Sequence, residues 1–111
     1  MEKRLGKIEY VKFGIGGYND SEIGLHLNFG GDGWGVSKSH STWDAQRVER
    51  SKHCKWTEDE RSKTYSELVR LVSKLLKEAK VDSVDKLKGI PVEITFDGNM
   101  LSDWRILTEV I

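Results

Sequence analysis

Residues 57–80 read TEDERSKTYSELVRLVSKLLKEAK, and the fold follows from this stretch. Thr57, with Glu60 three positions later, forms a capping box. The hydroxyl accepts from the backbone N–H three residues on, and the carboxylate reaches back to the cap amide. Glu58, Asp59 and Glu60 put negative charge at the positive end of a helix dipole, and Lys77 and Lys80 put positive charge at the other end. Tyr65, Leu68, Val69, Leu71, Val72, Leu75, Leu76 and Ala79 recur at spacings of three and four, which makes one broad apolar stripe. A single amphipathic helix cannot bury such a stripe alone, so the flanking segments must supply a second layer.

Those segments read as strands. Residues 4–13 mix Ile8, Tyr10, Val11 and Phe13 with Lys7, Glu9 and Lys12, an imperfect alternation that predicts a bulge or an edge position. Glycines, Asn19 and Asp20 then mark a turn. Residues 22–29 alternate cleanly, with Ile23, Leu25, Leu27 and Phe29 on one face. Gly30, Gly31, Asp32 and Gly33 form a hairpin turn into a third strand over 34–37. Residues 38–56 are expected to be an irregular loop, with a short strand near 45–50. After the long helix, 83–89 predicts a short helix capped by Ser83 and stopped by Gly89. Val92, Ile94 and Phe96 define a fourth strand, and Asp97, Gly98 and Asn99 a hairpin turn. Residues 101–111 are apolar on both faces, which predicts a central fifth strand. The expected order is β-β-β-α-α-β-β. The expected architecture is one α+β domain over 1–111: a mainly antiparallel five-stranded sheet with the long helix across one face.

Composition narrows the function classes. A chain of 111 residues suits one domain. With 18 basic and 18 acidic side chains the formal charge is zero, which removes the bulk electrostatic case for a dedicated duplex-DNA binder. One cysteine allows no internal disulfide framework and fits a reducing cytosol, so a cytoplasmic location is expected. The first residues lack the apolar core of a signal peptide, and no run approaches the roughly 18 apolar residues of a membrane span.

No motif assembles a catalytic set, and no enzymatic activity is expected. The glycine-rich run at 30–35 lies between two strands rather than opening a helix, so hairpin geometry accounts for it better than a phosphate cradle. His40, His53 and Cys54, with His26 as a fourth, could be read as zinc ligands. The adjacent His53 and Cys54 do not match metal-site spacing and no second cysteine supports them, so neither a metal nor a cofactor is expected. Cys54 beside Lys52 and Lys55 would be somewhat reactive if exposed, but a nucleophile also needs an orienting group and oxyanion donors, and none can be picked out. The acidic residues 58–60 are explained by capping and the dipole.

The segment 43–56 is different. Trp43 and Trp56 bracket Arg47, Arg50, Lys52 and Lys55, with Asp44 and Glu49 as the only acids. Tryptophan and arginine are the side chains that dominate protein interfaces. Basic residues interleaved with aromatics also bind single-stranded nucleic acid. The plain alternative is that both tryptophans fill the core and the charges are solvated. Trp43, Arg47, Arg50 and Trp56 are the candidate partner contacts, with Trp34 as a further one.

Several blocks carry a resemblance: Phe13 and Gly14 with Gly16, Gly17 and Tyr18; GLHLNFGGDGWGV at 24–36; CKWT at 54–57 running into EDER at 58–61; VEITF at 92–96; and WRILTE at 104–109. Together they resemble a group of small proteins encoded by bacteriophages and prophages. The resemblance implies an accessory protein that binds a host or phage protein, including a host defence protein, in the host cytoplasm. It implies no catalytic residues. A single-stranded nucleic-acid-binding module and a self-associating structural protein stand as alternatives.

Overall fold

The computed structural model describes residues 1–44 and 56–111. Five strands, β1 (Glu2–Gly16), β2 (Glu22–Gly31), β3 (Trp34–Trp43), β4 (Pro91–Asp97) and β5 (Met100–Ile106), form one sheet in the order β3-β2-β1-β4-β5. All four ladders are antiparallel. The long helix α1 (Glu58–Ala79) connects β3 to β4. The expected α+β class is the observed one.

β1 is the spine. Its second half pairs with β2 and its first half with β4, and the register shifts between Ile8 and Tyr10. That bulge explains the imperfect alternation, and the strand is central rather than an edge. Ile8 is fully buried at the bend and is tied on its other side to the chain entering β4: its N–H donates to the Ile90 carbonyl at 3.0 Å and its carbonyl accepts from Gly89 N–H at 2.7 Å. Gly89 sits at φ 88°, a left-handed conformation that favours glycine.

Register puts Leu25, Leu27, Phe29, Ile8, Val92, Ile94 and Ile106 on the face that α1 covers. Leu75 and Ala79 from α1 complete this core, together with Leu87 from the 3-10 turn Val84–Leu87. The predicted capping box is present: Glu60 N–H donates to Thr57 Oγ1 at 3.1 Å, and Thr57 N–H donates to Glu60 Oε2 at 3.3 Å. α1 ends as Lys80 turns left-handed, at φ 59°.

Four expectations are corrected. β3 runs on to Trp43 instead of dissolving at residue 38, because Lys38, Ser39, His40, Ser41 and Thr42 each find a β2 partner. β5 is an edge strand that stops at Ile106; Leu107 and Ile111, which made both faces look apolar, lie beyond it around the 3-10 turn Thr108–Val110. The short helix after α1 is a 3-10 turn, and Ser83 makes no side-chain cap bond there. Val69 is 66% exposed and does not belong to the buried stripe. The strand expected near 45–50 lies outside the described residues.

β3 and β5 are opposite edges by pairing, yet their side chains meet. Trp104 of β5 packs its ring 4.8 Å from Phe29, and its indole N–H donates to His40 Nε2 of β3 at 3.1 Å. The sheet therefore curls toward a barrel. Among the described residues the seam is spanned by side chains, without a β3–β5 ladder.

Candidate functional site

Trp43 closes β3, opposite Glu22. Asp44 N–H donates to the Ser21 carbonyl at 2.9 Å and so pins the strand end to the start of β2. Trp56 precedes the Thr57 cap of α1. Arg61, one turn into the helix and only 8% exposed, joins these two chain ends. Its guanidinium lies over the Trp56 ring at 4.8 Å, its Nη1 donates to the Trp43 carbonyl at 3.4 Å, and its Nη2 donates to the Glu58 carboxylate at 2.5 Å. The Glu58 hydrogen bond, ahead of its charge, raises the guanidinium pKa further above its ordinary value. A buried arginine needs such partners, and here they are a carboxylate, a carbonyl and an aromatic face.

The structure thus brings Trp43 and Trp56 together, each partly exposed. Arg47 and Arg50 lie outside the described residues. Trp34 does not join them. It starts β3, about 30 Å away along a ten-residue strand, and packs edge-on against Phe96 with ring centroids 5.6 Å apart. Gly6 and Gly31 leave the space its indole fills. The other end of the glycine-rich run is a hairpin turn, with Gly33 at φ 75°.

Of the candidate metal ligands, the two described ones, His26 and His40, do not come together. His53 and Cys54 lie outside the described residues, and His26 and His40 project from opposite faces of the sheet. His26 is buried on the face away from α1, with Nε2 3.2 Å from the Gly14 carbonyl and Nδ1 2.7 Å from Ser39 Oγ. A carbonyl can only accept, so Nε2 carries the proton and Nδ1 accepts from the serine. Gly16 leaves room for the ring. His40, accepting from Trp104 at Nε2, is the neutral imidazole protonated at Nδ1. Burial first, and the Lys38 charge second, hold its pKa below the ordinary histidine value. No group of three or more His, Cys, Asp or Glu side chains among the described residues could hold a metal ion.

Sequence reasoning missed Arg61 and the His40–Trp104 pair. Arg61 has a local signal, Glu58 three residues before it on the helix, but its burial depends on the far end of β3. His40 and Trp104 are 64 positions apart and leave no local pattern.

Two clefts lie between α1 and the seam. One, of about 370 Å³, is lined by Ser39, His40 and Ser41 of β3 and by Glu67, Leu68 and Leu71 of α1. The other, of about 310 Å³, shares His40 and Leu71 and runs on past Lys38 and Lys74 to β5. A third depression, about 720 Å³ and wide open, sits where β1 leaves β2 for β4; no histidine, cysteine or hydroxyl side chain among the described residues lines it.

No helix among the described residues is long and apolar enough to cross a membrane. No protein-family model, curated protein or solved structure matches the chain. The fold and site define a small α+β domain with an antiparallel sheet, carrying a tryptophan–arginine clasp at one end and a strand-edge groove beside its helix.

Proposed function

We propose that this chain is a small non-enzymatic accessory protein of the phage type its sequence resembles, acting in the host cytoplasm by binding another protein, with a host defence protein as one target class. The observation that carries the reading is the clasp at Arg61. Two partly exposed tryptophans stand at the two roots of the segment that holds Arg47 and Arg50. Interfaces draw most of their binding energy from a few such tryptophan and arginine side chains. A tryptophan already stacked on a buried guanidinium loses little freedom on binding.

The test is affinity capture of tagged protein from host lysate with nuclease present, read by mass spectrometry and repeated with Trp43→Ala and with Arg47→Ala/Arg50→Ala. A stoichiometric protein partner, weakened at least about tenfold by either variant, is expected. Capture unchanged by both variants would refute the site. Capture of the chain by itself alone would turn the reading to self-association.

A second reading, single-stranded nucleic-acid binding, is favoured by the strand order. A curled five-stranded sheet in the order β3-β2-β1-β4-β5, with a helix between β3 and β4, shares its connectivity with the oligonucleotide- and oligosaccharide-binding barrels. The likeness is one of connectivity, and folds host many functions. This reading requires affinity for a labelled single strand that falls steeply with salt.

A further inference from the structure

Among the described residues β3 is a sheet edge with no strand on its outer side, tied across the seam by the His40–Trp104 side-chain bond. It pairs with β2 over all ten of its residues without a register shift, and nothing else pairs with it among the described residues. Exposed edges are normally blunted by proline, bulges or several charges. β3 has no proline and one charged side chain, Lys38. Along an antiparallel edge every second residue turns its N–H and C=O outward, so about half of the strand presents backbone groups that no strand among the described residues takes up.

α1 turns this edge into a groove. The two clefts adjoin at His40 and Leu71, which line both, and their lining changes character with position. Toward the end of β3, beside Ser39 and Ser41, stands Glu67. Its only ionic contact among the described residues is Lys63, at 4.0 Å and largely in solvent, a pairing worth little and readily exchanged. One turn on, Leu68 and Leu71 form an apolar floor. Beyond them come Lys74 from the helix and Lys38 from the strand, with Glu78 a further turn away and Asp103 and Arg105 on the β5 side, the arginine already paired with Glu93 and Glu109.

We propose that this groove receives an extended segment of a partner protein as an added strand antiparallel to β3, with a basic side chain at Glu67, an apolar one on Leu68 and Leu71, and an acidic one at Lys74. Every ladder of the sheet is antiparallel, and this sense is the more stable. It sets the order as base, then apolar residue, then acid, reading from the amino end of the partner. From Glu67 to Lys74 is about 10 Å along the helix. Three to four extended residues span that distance. Only alternate residues face the helix, which places base and acid four residues apart with the apolar residue between them. Backbone hydrogen bonds supply the affinity of such strand addition, and the alternating pockets supply the selectivity.

The proposal rests on the protein-binding reading but uses a surface separate from the tryptophan clasp. Its test uses the capped peptide TKTVTET and its charge-swapped counterpart TETVTKT, titrated into the isotopically labelled full chain and followed by backbone amide NMR. The first peptide should shift amides over 37–42 and 64–75 saturably, and bind about fivefold or more tighter than the second, as two exposed ion pairs imply. The double reversal Glu67→Lys/Lys74→Glu should invert that preference. Perturbation outside the groove, no saturable shift at millimolar peptide, or a preference that survives the reversal would each overturn the proposal. Capture lost with Trp43→Ala but untouched by the double reversal would leave the protein-binding reading standing and remove the groove from it.

Discussion

Replacing Gly6 with alanine tests how Trp34 is held. Gly6 lies on β1 opposite Val92, and the Trp34 indole covers it. A Cβ there would come to 2.8 Å from the Trp34 ring and closer still to the Gly30 carbonyl oxygen. The ring already meets Phe96 edge-on, and the carbonyl belongs to the β2 backbone. Two effects compete. Alanine in place of a strand glycine should stabilise by about 0.5–1 kcal/mol through the unfolded chain. Overpacking typically costs about 1–3 kcal/mol. The steric effect should win, because one of the two clashing atoms is backbone. The net expectation is a loss of about 1–2 kcal/mol, or roughly 4–8 °C in Tm for 111 residues. Urea unfolding of Gly6→Ala should show a lower midpoint at unchanged m. Gly6→Ala/Trp34→Leu should recover only part of the loss, since the Gly30 carbonyl remains. A midpoint equal to or above the parent's would show that neither the indole nor the Gly30 carbonyl crowds Gly6.

Two further outcomes follow from the core and the seam. Leu75 is 4% exposed beneath α1, so Leu75→Ala should cost about 2–5 kcal/mol in urea unfolding; a loss under about 1 kcal/mol would mean that the helix is not seated on this core. His40 titrates below its unfolded value, so folding favours the neutral ring; its contribution is complete above about pH 6.5 and is lost as pH falls below that. Protonation at Nε2 also breaks the Trp104 bond, and Lys38, Lys74, Glu67, Glu78, Asp103 and Arg105 are the charged groups around the ring. His40→Gln keeps an acceptor for the indole without titrating, so its stability between pH 7.5 and 5 should fall less than the parent's, and equal slopes would refute the assignment.

The parts of the fold that were legible in the sequence are those encoded locally. The capping box and the three-and-four spacing of Leu68, Leu71, Leu75 and Ala79 specify α1 without reference to anything else. Strict alternation does the same for β2. The second half of β3 was illegible because Ser37, Lys38, Ser39, His40 and Ser41 carry no apolar signal, and what makes them a strand is the edge that β2 offers. The end of β5 was misread because Ile111 packs against the core from beyond the strand, after the 3-10 turn. Of the candidate site, the tryptophans were visible by type. The arginine that gathers them was not, since an arginine is buried only when distant partners are there to receive it.

The Arg61 clasp also bears on how this protein could change. Because Arg61 ties the Trp43 carbonyl to the Trp56 ring, the sequence between them is a cassette whose two attachment points are set by the rest of the domain. Doubling the length of chain between two fixed points adds only about 0.6 kcal/mol of closure entropy. Segments of other lengths and sequences could then be exchanged at this position while α1 and the sheet stay as they are, leaving selection free to retune what the cassette recognises.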